Sequence, residues 1–320
     1  MGTRRILLSG GNGYVGTYLA RLLAVDCNVC VADLLRYGDW RFGDEDRSRL
    51  RLVRLDIREP AQVAELMAEW APDIVIHLAA LHYIPECEAD PALAVSTNVA
   101  GTLNLLQSAP VGSRFVFASS GAVYKPQLAP HCEATSTVEP TDIYGLTKLH
   151  GEQYVAAMAA KRGLRGVIVR LFNVVGPGET NPHLLPELVA QLKAGRGTIQ
   201  LGNLSPQRDY IDVRDAAAGF MAAALGEAVA EGETCCVNLG TSRAYSVLDV
   251  VEKLRQVSLV PFDIKQENDR IRPVDRPVLA ADNRRITELF GWRQRYTLDD
   301  ALAALWANPD LAQGLLAKYQ

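Results

Sequence analysis

The sequence contains few features of a secreted, membrane-bound or nucleic-acid-binding protein. Its 320 residues include only 6 cysteines, two of them adjacent, which favours reduced thiols in a cytosolic fold over a disulfide framework. No apolar run approaches the roughly 20 residues that cross a bilayer, and Arg4 and Arg5 lead directly into a short strand pattern, not a signal peptide. A formal net charge of −4 offers no basic surface to a phosphate backbone. We therefore expect a cytoplasmic protein with neither a nucleic acid nor a membrane as its partner.

One pair of cysteines has the spacing of a metal or redox site. Cys27 and Cys30 are three residues apart, but they lead into an apolar run, have no second pair nearby and do not precede a helix. We interpret them as structural cysteines, and we expect no metal site.

A glycine-rich turn follows the first predicted strand. Residues 6–8 form an apolar run, and Gly10, Gly13 and Gly16 lead into a helical pattern over residues 18–23. This spacing allows a tight turn close to a pyrophosphate, and the helix start offers free N–H groups and a positive dipole end. The predicted cofactor-binding residues of this turn are Gly10, Gly13, Tyr14 and Val15.

An acidic residue ends the second predicted strand. Asp33 follows the apolar residues 29–32 and lies 17 residues beyond Gly16. A carboxylate at this position accepts hydrogen bonds from the adenosine ribose hydroxyls and repels a 2′-phosphate. The sequence therefore predicts a site for NAD and not for NADP.

The predicted strands alternate with predicted helices, which indicates an α/β fold with a doubly wound parallel sheet. Later strands are predicted over residues 52–57, 73–80, 114–118 and 167–172, and helices over residues 61–70 and 91–108. Ligands of such sheets bind at the carboxyl ends of the strands. The cofactor-binding residues predicted there are Asp56, Ile57, Leu78, Ala79, Ala80, His82, Asn98 and Ser119. For His82 a role in loop structure is an equal alternative, whereas His77, inside an apolar run, is predicted to be a core histidine.

Tyr144 and Lys148 have the spacing of neighbours on one face of a helix. A tyrosine that acts as a base at neutral pH needs its pKa lowered from near 10 by roughly three units. An ammonium about 4 Å away supplies an effect of that size. We predict Tyr144 and Lys148 as catalytic, cofactor-contacting residues and Ser120 as a catalytic hydroxyl that relays a proton and contacts the substrate. An isolated pair of this spacing is more often a solvated helix face, but the glycine turn and Ser120 favour catalysis.

The composition changes near residue 176, where glycine and proline become more frequent. We predict a first domain over residues 1–175 and a smaller substrate-binding lobe over residues 176–320, with some segments that return to the first domain. A helix is predicted over residues 184–193. Arginine suits phosphate oxygens, so two arginines are candidate diphosphate ligands, although for either one a structural ion pair is an equal alternative. The predicted substrate-binding residues are Ser120, Asn173, Leu184, Arg208, Arg272 and Asp275.

Taken together, these motifs resemble the extended short-chain dehydrogenase/reductases, in particular the NAD-dependent nucleotide-sugar epimerases and dehydratases. The resemblance covers nearly the whole chain. Besides the glycine turn and the Tyr144 to Lys148 pair, its motifs are His77-Leu78-Ala79-Ala80, Asn98-Val99-Ala100-Gly101-Thr102, Ser119-Ser120-x-x-Val123-Tyr124, Phe172-Asn173, Arg208-Asp209-Tyr210 and Arg272-Pro273-x-Asp275. The resemblance implies a Rossmann-type domain, a small nucleotide-sugar lobe, tightly held NAD and a homodimer formed through helices of the first domain.

Within this family, the residues after Ser120 separate the activities. A 4,6-dehydratase places carboxylates there, whereas this chain has Gly121 and Ala122. The segment from Asn238 to Val251 is most similar to UDP-galactose 4-epimerases. We therefore expect a nucleotide-sugar 4-epimerase that acts through a transient 4-keto sugar. The alternatives are an NAD(P)H-dependent keto-sugar reductase, then a 4,6-dehydratase, and a nucleotide-binding protein without catalysis.

Overall fold

In a computed structural model of the chain, the described residues are 3–179, 181–267, 276–311 and 314–319. A parallel sheet of seven strands forms the first domain, in the order β10-β6-β5-β4-β1-β2-β3. Its strands are β1 (Arg5–Ser9), β2 (Asn28–Asp33), β3 (Leu50–Arg54), β4 (Ile74–His77), β5 (Arg114–Ser120), β6 (Arg165–Leu171) and β10 (Thr234–Leu239). The predicted α/β class and Rossmann-like parallel sheet are confirmed.

Helices cover both faces of this sheet because its strands carry apolar side chains on both sides. Within β1, for example, Ile6 and Leu8 pack into one buried cluster and Leu7 into another. The helices of this domain are α1 (Tyr14–Leu23), α2 (Asp44–Arg49), α3 (Pro60–Trp70), α4 (Ile84–Ala89), α5 (Pro91–Val95), α6 (Gly101–Ser108) and α7 (Ile143–Arg162).

Three predicted elements differ from the structure. The helix predicted over residues 91–108 is interrupted by a π-helical turn at Ser96–Ala100. The strand predicted over residues 52–57 ends at Arg54, because its neighbour β2 ends opposite it at Asp33. The strand predicted over residues 73–80 ends at His77, because the backbone N–H groups of Leu78 and Ala79 both donate to Ser9 O and turn the chain across the end of β1.

Smaller sheets form the second lobe. The elements that follow β6 are β7 (Asn173–Val175), α8 (Leu184–Lys193), β8 (Thr198–Leu201), β9 (Gln207–Asp212), α9 (Val213–Leu225), β11 (Ala244–Ser246), α10 (Val247–Ser258), β12 (Asp263–Gln266), β13 (Val278–Leu279), α11 (Arg284–Phe290) and α12 (Leu298–Ala307). Strand β9 pairs with β7, β11 and β13, and β8 pairs with β12. Strand β10 lies at the edge of the large sheet, and helix α9 packs on α1.

Within the described part of the chain, no helix has both the length and the apolar character needed to cross a membrane.

Candidate active site

A cavity of about 1510 Å³ opens at the carboxyl ends of the large sheet, between this sheet and the second lobe. Sites for one small ligand usually measure roughly 300–1,000 Å³, so this cavity has room for a dinucleotide and a second ligand. Its wall includes most of the residues that the sequence predicts for the cofactor and the substrate.

The glycine turn forms one end of the cavity. Gly10 has a φ of 74°, and a Cβ atom there would lie 2.4 Å from Ala79 N, so only glycine fits between β1 and β4. No described side chain caps the start of α1, and its first turn contains no acidic residue. The free N–H groups and the positive dipole end of α1, near Tyr14 and Val15, therefore face the cavity. No acidic side chain of α1 competes with a bound phosphate for them.

Asp33 lines the same end of the cavity. Its carboxylate accepts hydrogen bonds from Leu35 N at 2.8 Å and Asn12 N at 3.0 Å. Burial raises the pKa of Asp33, and these two N–H groups oppose that rise. The carboxylate is thus held at the end of β2, next to the glycine turn, as a ribose ligand requires.

The side wall of the cavity consists of residues from the ends of β3, β4 and β5. The predicted residues found there are Asp56, Ile57, Leu78, Ala79, Ala80, His82 and Ser119. His82 lines the cavity, and its Nε2 atom lies 2.7 Å from Asn181 Nδ2, which supports its role in loop structure, while its contact with the cofactor stays a prediction. Burial lowers the pKa of His82 to about 4, so its imidazole is neutral at pH 7.

Asn98 lies behind the wall and is not part of it. Its Oδ1 accepts from Leu81 N at 2.8 Å, and its Nδ2 donates to Leu81 O at 2.9 Å and to Thr147 Oγ1 at 3.0 Å. With its amide fully used and its side chain buried, Asn98 holds the loop after β4 against α7. The structure thus gives Asn98 a supporting role, and its contact with the cofactor stays a prediction.

Tyr144 lies in the first turn of α7 and faces the cavity together with Ser120 and Lys148. Ser120 lies close enough to Tyr144 to lower the pKa of its phenol. Lys148 Nζ donates to Ala118 O at 2.8 Å and lies 5.8 Å from the centroid of the Tyr144 ring. The structure therefore brings all three predicted catalytic side chains together.

The protein alone does not lower the pKa of Tyr144. Burial raises this pKa well above its ordinary value, and Ser120 only partly opposes the rise. Burial also lowers the pKa of Lys148 to about 8. Burial thus opposes the expected effect of the ammonium, because it disfavours the charged phenolate. A positively charged cofactor in the cavity would favour the phenolate.

A buried ion pair that the sequence analysis missed supports Ser119. Ser119 Oγ donates to Glu152 Oε1, and Arg170 donates to both carboxylate oxygens of Glu152, from Nε at 2.8 Å and from Nη2 at 2.6 Å. The side chains of Glu152 and Arg170 are 7% and 8% exposed. The sequence did point to Glu152, since it lies four residues after Lys148 and therefore on the same helix face.

We expect Glu152→Gln to lower the free energy of unfolding by about 2–3 kcal/mol, because it leaves the buried Arg170 charge without its counter-ion. Urea denaturation measures the change. The matched control is Glu139→Gln at the exposed pair with Lys125, where we expect a loss below about 0.5 kcal/mol. Equal losses in the two variants would contradict a special role for the buried pair.

On the substrate side, the cavity wall contains Asn173, Leu184 and Arg208. Arg208 Nη1 donates to Gln207 O and to Arg276 O, each at 2.8 Å, so its guanidinium is anchored beside the cavity. Arg272 and Asp275 lie outside the described residues. Sequence analysis also missed the charged or titratable wall residues Glu179, His183 and Arg276, because no motif includes them.

Two structural predictions are confirmed. His77 is buried, with its ring nitrogens 2.8 Å from Ser9 Oγ and 2.9 Å from Thr102 Oγ1. Cys27 and Cys30 are free thiols, and Cys30 lies in the core. Among the residues with described positions, no group of three or more histidine, cysteine or acidic side chains is arranged to hold a metal ion.

Comparison with known proteins agrees with this geometry. The model of the NAD dependent epimerase/dehydratase family matches residues 6–240. The chain is 26% identical to a GDP-6-deoxy-D-mannose reductase from Pseudomonas aeruginosa, with 96% of this chain and 97% of that protein covered. It is 31% identical to UDP-glucose 4-epimerase 4 from rice, with 95% of this chain and 89% of that protein covered. A crystal structure of a UDP-glucose 4-epimerase from Stenotrophomonas maltophila, with bound NAD and formylated UDP-arabinopyranose, is 27% identical and superposes with a TM-score of 0.84, covering 95% of this chain and 97% of that one.

Proposed function

Because this chain belongs to the NAD dependent epimerase/dehydratase family, we propose that it is a nucleotide-sugar 4-epimerase that acts through a transient 4-keto sugar. One observation carries the proposal. A single cavity contains the glycine turn and Asp33 at one end, Tyr144, Ser120 and Lys148 in the middle, and Arg208 on the substrate side. Such a cavity can hold a dinucleotide and a nucleotide-sugar together, with the sugar beside Tyr144.

The residues at the adenosine end favour NAD as the cofactor. The Asp33 carboxylate would repel a 2′-phosphate, and its backbone hydrogen bonds hold it in place. The nearby arginines Arg36 and Arg58 form ion pairs with Glu86 and Asp56, which reduces their ability to neutralise such a phosphate. When bound there, NAD would accept a hydride from the sugar and, in its oxidised form, would add a positive charge to the cavity that Tyr144 faces.

Proton transfer is the part of the reaction that we assign to Tyr144 and Ser120. The Tyr144 phenolate takes the O4 proton directly or through the Ser120 hydroxyl, and later returns it. The ammonium of Lys148 lies near the Tyr144 ring and favours the ionised phenolate. The reaction consumes no cofactor, so the protein should retain its dinucleotide.

The substrate lobe would hold the diphosphate while the keto sugar turns. Asn173 and Arg208 are the described candidates for this anchor, and we retain Arg272 and Asp275 as predicted ligands and Leu184 as a predicted contact of the nucleotide. Rotation about a fixed diphosphate exposes the opposite face of C4, so returning the hydride inverts that carbon.

The turn after Ser120 argues against dehydration. A Cβ atom added at Gly121 would lie 3.1 Å from the Phe172 ring, so the position has little room for an acidic side chain. Elimination of a sugar hydroxyl needs an acid-base pair beside the reacting carbons. Gly121 and Ala122 offer none.

The second candidate is a nucleotide-4-keto-sugar reductase on the same scaffold. The likeness to the reductase from P. aeruginosa, over 96% of this chain, favours it. A reductase consumes one NAD(P)H for each sugar, whereas an epimerase consumes none. The two candidates are therefore separated by stoichiometry.

We also propose a homodimer. Val95 on α5 and Leu146 and Tyr154 on α7 are 48%, 41% and 38% exposed, on two helices that contact each other. Exposed apolar groups on adjacent helices suit a self-association surface. Sedimentation of the purified protein should show a two-chain species, and a single-chain species at micromolar concentration would contradict it.

The function is tested with the purified protein in two steps. Denaturation should release NAD, which chromatography identifies. UDP-, GDP-, CDP- and dTDP-sugars are then incubated with the native protein and no added cofactor, and we expect one of them to interconvert with its 4-epimer. Turnover only with added NAD(P)H would favour the reductase.

A further inference from the structure

Arg276 crosses from the second lobe to the active site. It lies two residues before β13, and its Nη2 donates to Ala122 O and to Asp142 Oδ2, each at 2.9 Å. Its Nη1 lies 3.3 Å from Gly121 O. The side chains of Arg276 and Asp142 are 11% and 14% exposed, so this ion pair is largely shielded from solvent.

The partners of Arg276 hold the two groups that share the proposed proton. Ala122 belongs to the turn after Ser120, and its N–H donates to Ser120 Oγ at 3.1 Å. Asp142 is the N-cap of α7, where its Oδ1 accepts from Gly145 N at 2.7 Å, and Tyr144 lies between these two residues. One guanidinium therefore joins the Ser120 turn to the start of the Tyr144 helix.

Several hydrogen-bond acceptors meet where this turn packs on this helix. A Cβ atom at Gly145 would lie 2.6 Å from Ala122 O, so the helix start packs directly on the turn. The carbonyl oxygens of Gly121 and Ala122 and the carboxylate of Asp142 converge there, and their like partial charges repel. Arg276 satisfies all three acceptors at once, which a planar fork of several N–H donors is suited to do.

The backbone of Arg276 is joined to the proposed diphosphate anchor. Arg208 Nη1 donates to Arg276 O at 2.8 Å. Gln207 N donates to Pro277 O at 2.8 Å, and β13 continues this pairing with Leu279 opposite Arg208. A continuous chain of contacts thus runs from Arg208 through Arg276 to Ser120 and Tyr144.

We propose that Arg276 is a positioning residue that couples the diphosphate anchor at Arg208 to the alignment of Ser120 with Tyr144. This inference rests on the proposed function, because it concerns the same cavity. Arg276 acts through the turn and the helix and not on the reacting atoms. It should therefore affect kcat more than KM.

The test compares Arg276→Met, Arg276→Lys and Asp142→Asn with the wild-type protein on the nucleotide-sugar that it interconverts. Arg276→Met should lower kcat about 30-fold, within the loss expected when reacting groups shift by up to 1 Å, and should change KM less than about threefold. Arg276→Lys keeps the charge but not the planar fork of N–H donors, and should restore only part of kcat.

Asparagine still caps α7, so Asp142→Asn removes mainly the ion pair with Arg276. The double variant should lose no more than Arg276→Met, because both residues belong to one contact.

Arg284→Met is the control, since Arg284 forms an ion pair with Asp282 and its side chain is 78% exposed. Its kcat should stay within about twofold of wild type. A kcat of Arg276→Met that also stays within twofold would overturn the proposal. An unchanged kcat with a tenfold higher KM would also overturn it, because Arg276 would then be a substrate ligand.

Thermal unfolding gives a readout that does not depend on activity. The two single variants and the double variant form a cycle in which the losses in Tm should be non-additive, and additive losses would overturn the contact. If the wild-type protein interconverts no nucleotide-sugar while the cycle is non-additive, the proposed function fails and the Arg276 contact stands.

Discussion

Tyr144→Phe is expected to lower kcat by about 10³-fold, because it removes the only hydroxyl that we assign to proton transfer as a base. The ring would still pack beside Lys148, so the fold and the retention of the dinucleotide should not change. Kinetics with the interconverted nucleotide-sugar measure kcat, and absorbance of the released dinucleotide measures retention.

The matched control is Tyr154→Phe, on the same helix as Tyr144 but with a side chain that is 38% exposed, and this change keeps the ring that we place at the dimer surface. This variant should keep its activity within about twofold, as is usual for an exposed side chain without partners in the site. If Tyr144→Phe kept more than a tenth of the wild-type kcat, Tyr144 would not be the base.

Lys148→Met is expected to lower the rate at pH 7 by about 10- to 10³-fold, because an ammonium within about 4–6 Å of a phenol shifts its pKa by about 1–3 units. The direction of this pKa shift follows from the charges. The cation favours the phenolate and lowers the pKa of Tyr144, so its loss raises a pKa that burial has already raised. Less phenolate is then present at pH 7, and the acid limb of the pH–rate profile moves to higher pH.

The ratio of wild-type to variant rates should therefore fall as the pH rises. Since burial lowers the pKa of Lys148 to about 8, the wild-type protein itself loses the ammonium above that pH. Lys161→Met, in the last turn of the same helix, is the control and should leave the profile unchanged. A Lys148→Met profile parallel to that of the wild type would show that Lys148 does not tune Tyr144.

Residues in local patterns could be predicted from the sequence. The glycine turn with Asp33 and the pair Tyr144 and Lys148 are set by spacings within one strand, turn or helix. Parallel strands then bring their carboxyl ends to one edge, which is why Ser119 and Ser120 were predicted beside Tyr144 without any contact being known.

Other features depend on contacts between distant segments. The pair of Glu152 and Arg170 joins α7 to β6, and Arg276 reaches Asp142 from 134 residues away. No motif marks such contacts, although the spacing of Glu152 from Lys148 hinted at one. The burial that raises the pKa of Tyr144 could not be predicted either, because the sequence reveals the neighbouring cation but not how deeply the phenol is buried.

Whether the sugar is oxidised and reduced again at the same carbon is the central question. The most direct measurement uses the interconverted nucleotide-sugar carrying deuterium at C4, incubated with the purified protein without added cofactor. Our account predicts an epimeric product that retains its deuterium at C4. The amount of dinucleotide bound to the protein should stay constant during the reaction. Loss of the label to solvent, or conversion that stops unless NAD(P)H is supplied in an amount equal to the sugar, would contradict it.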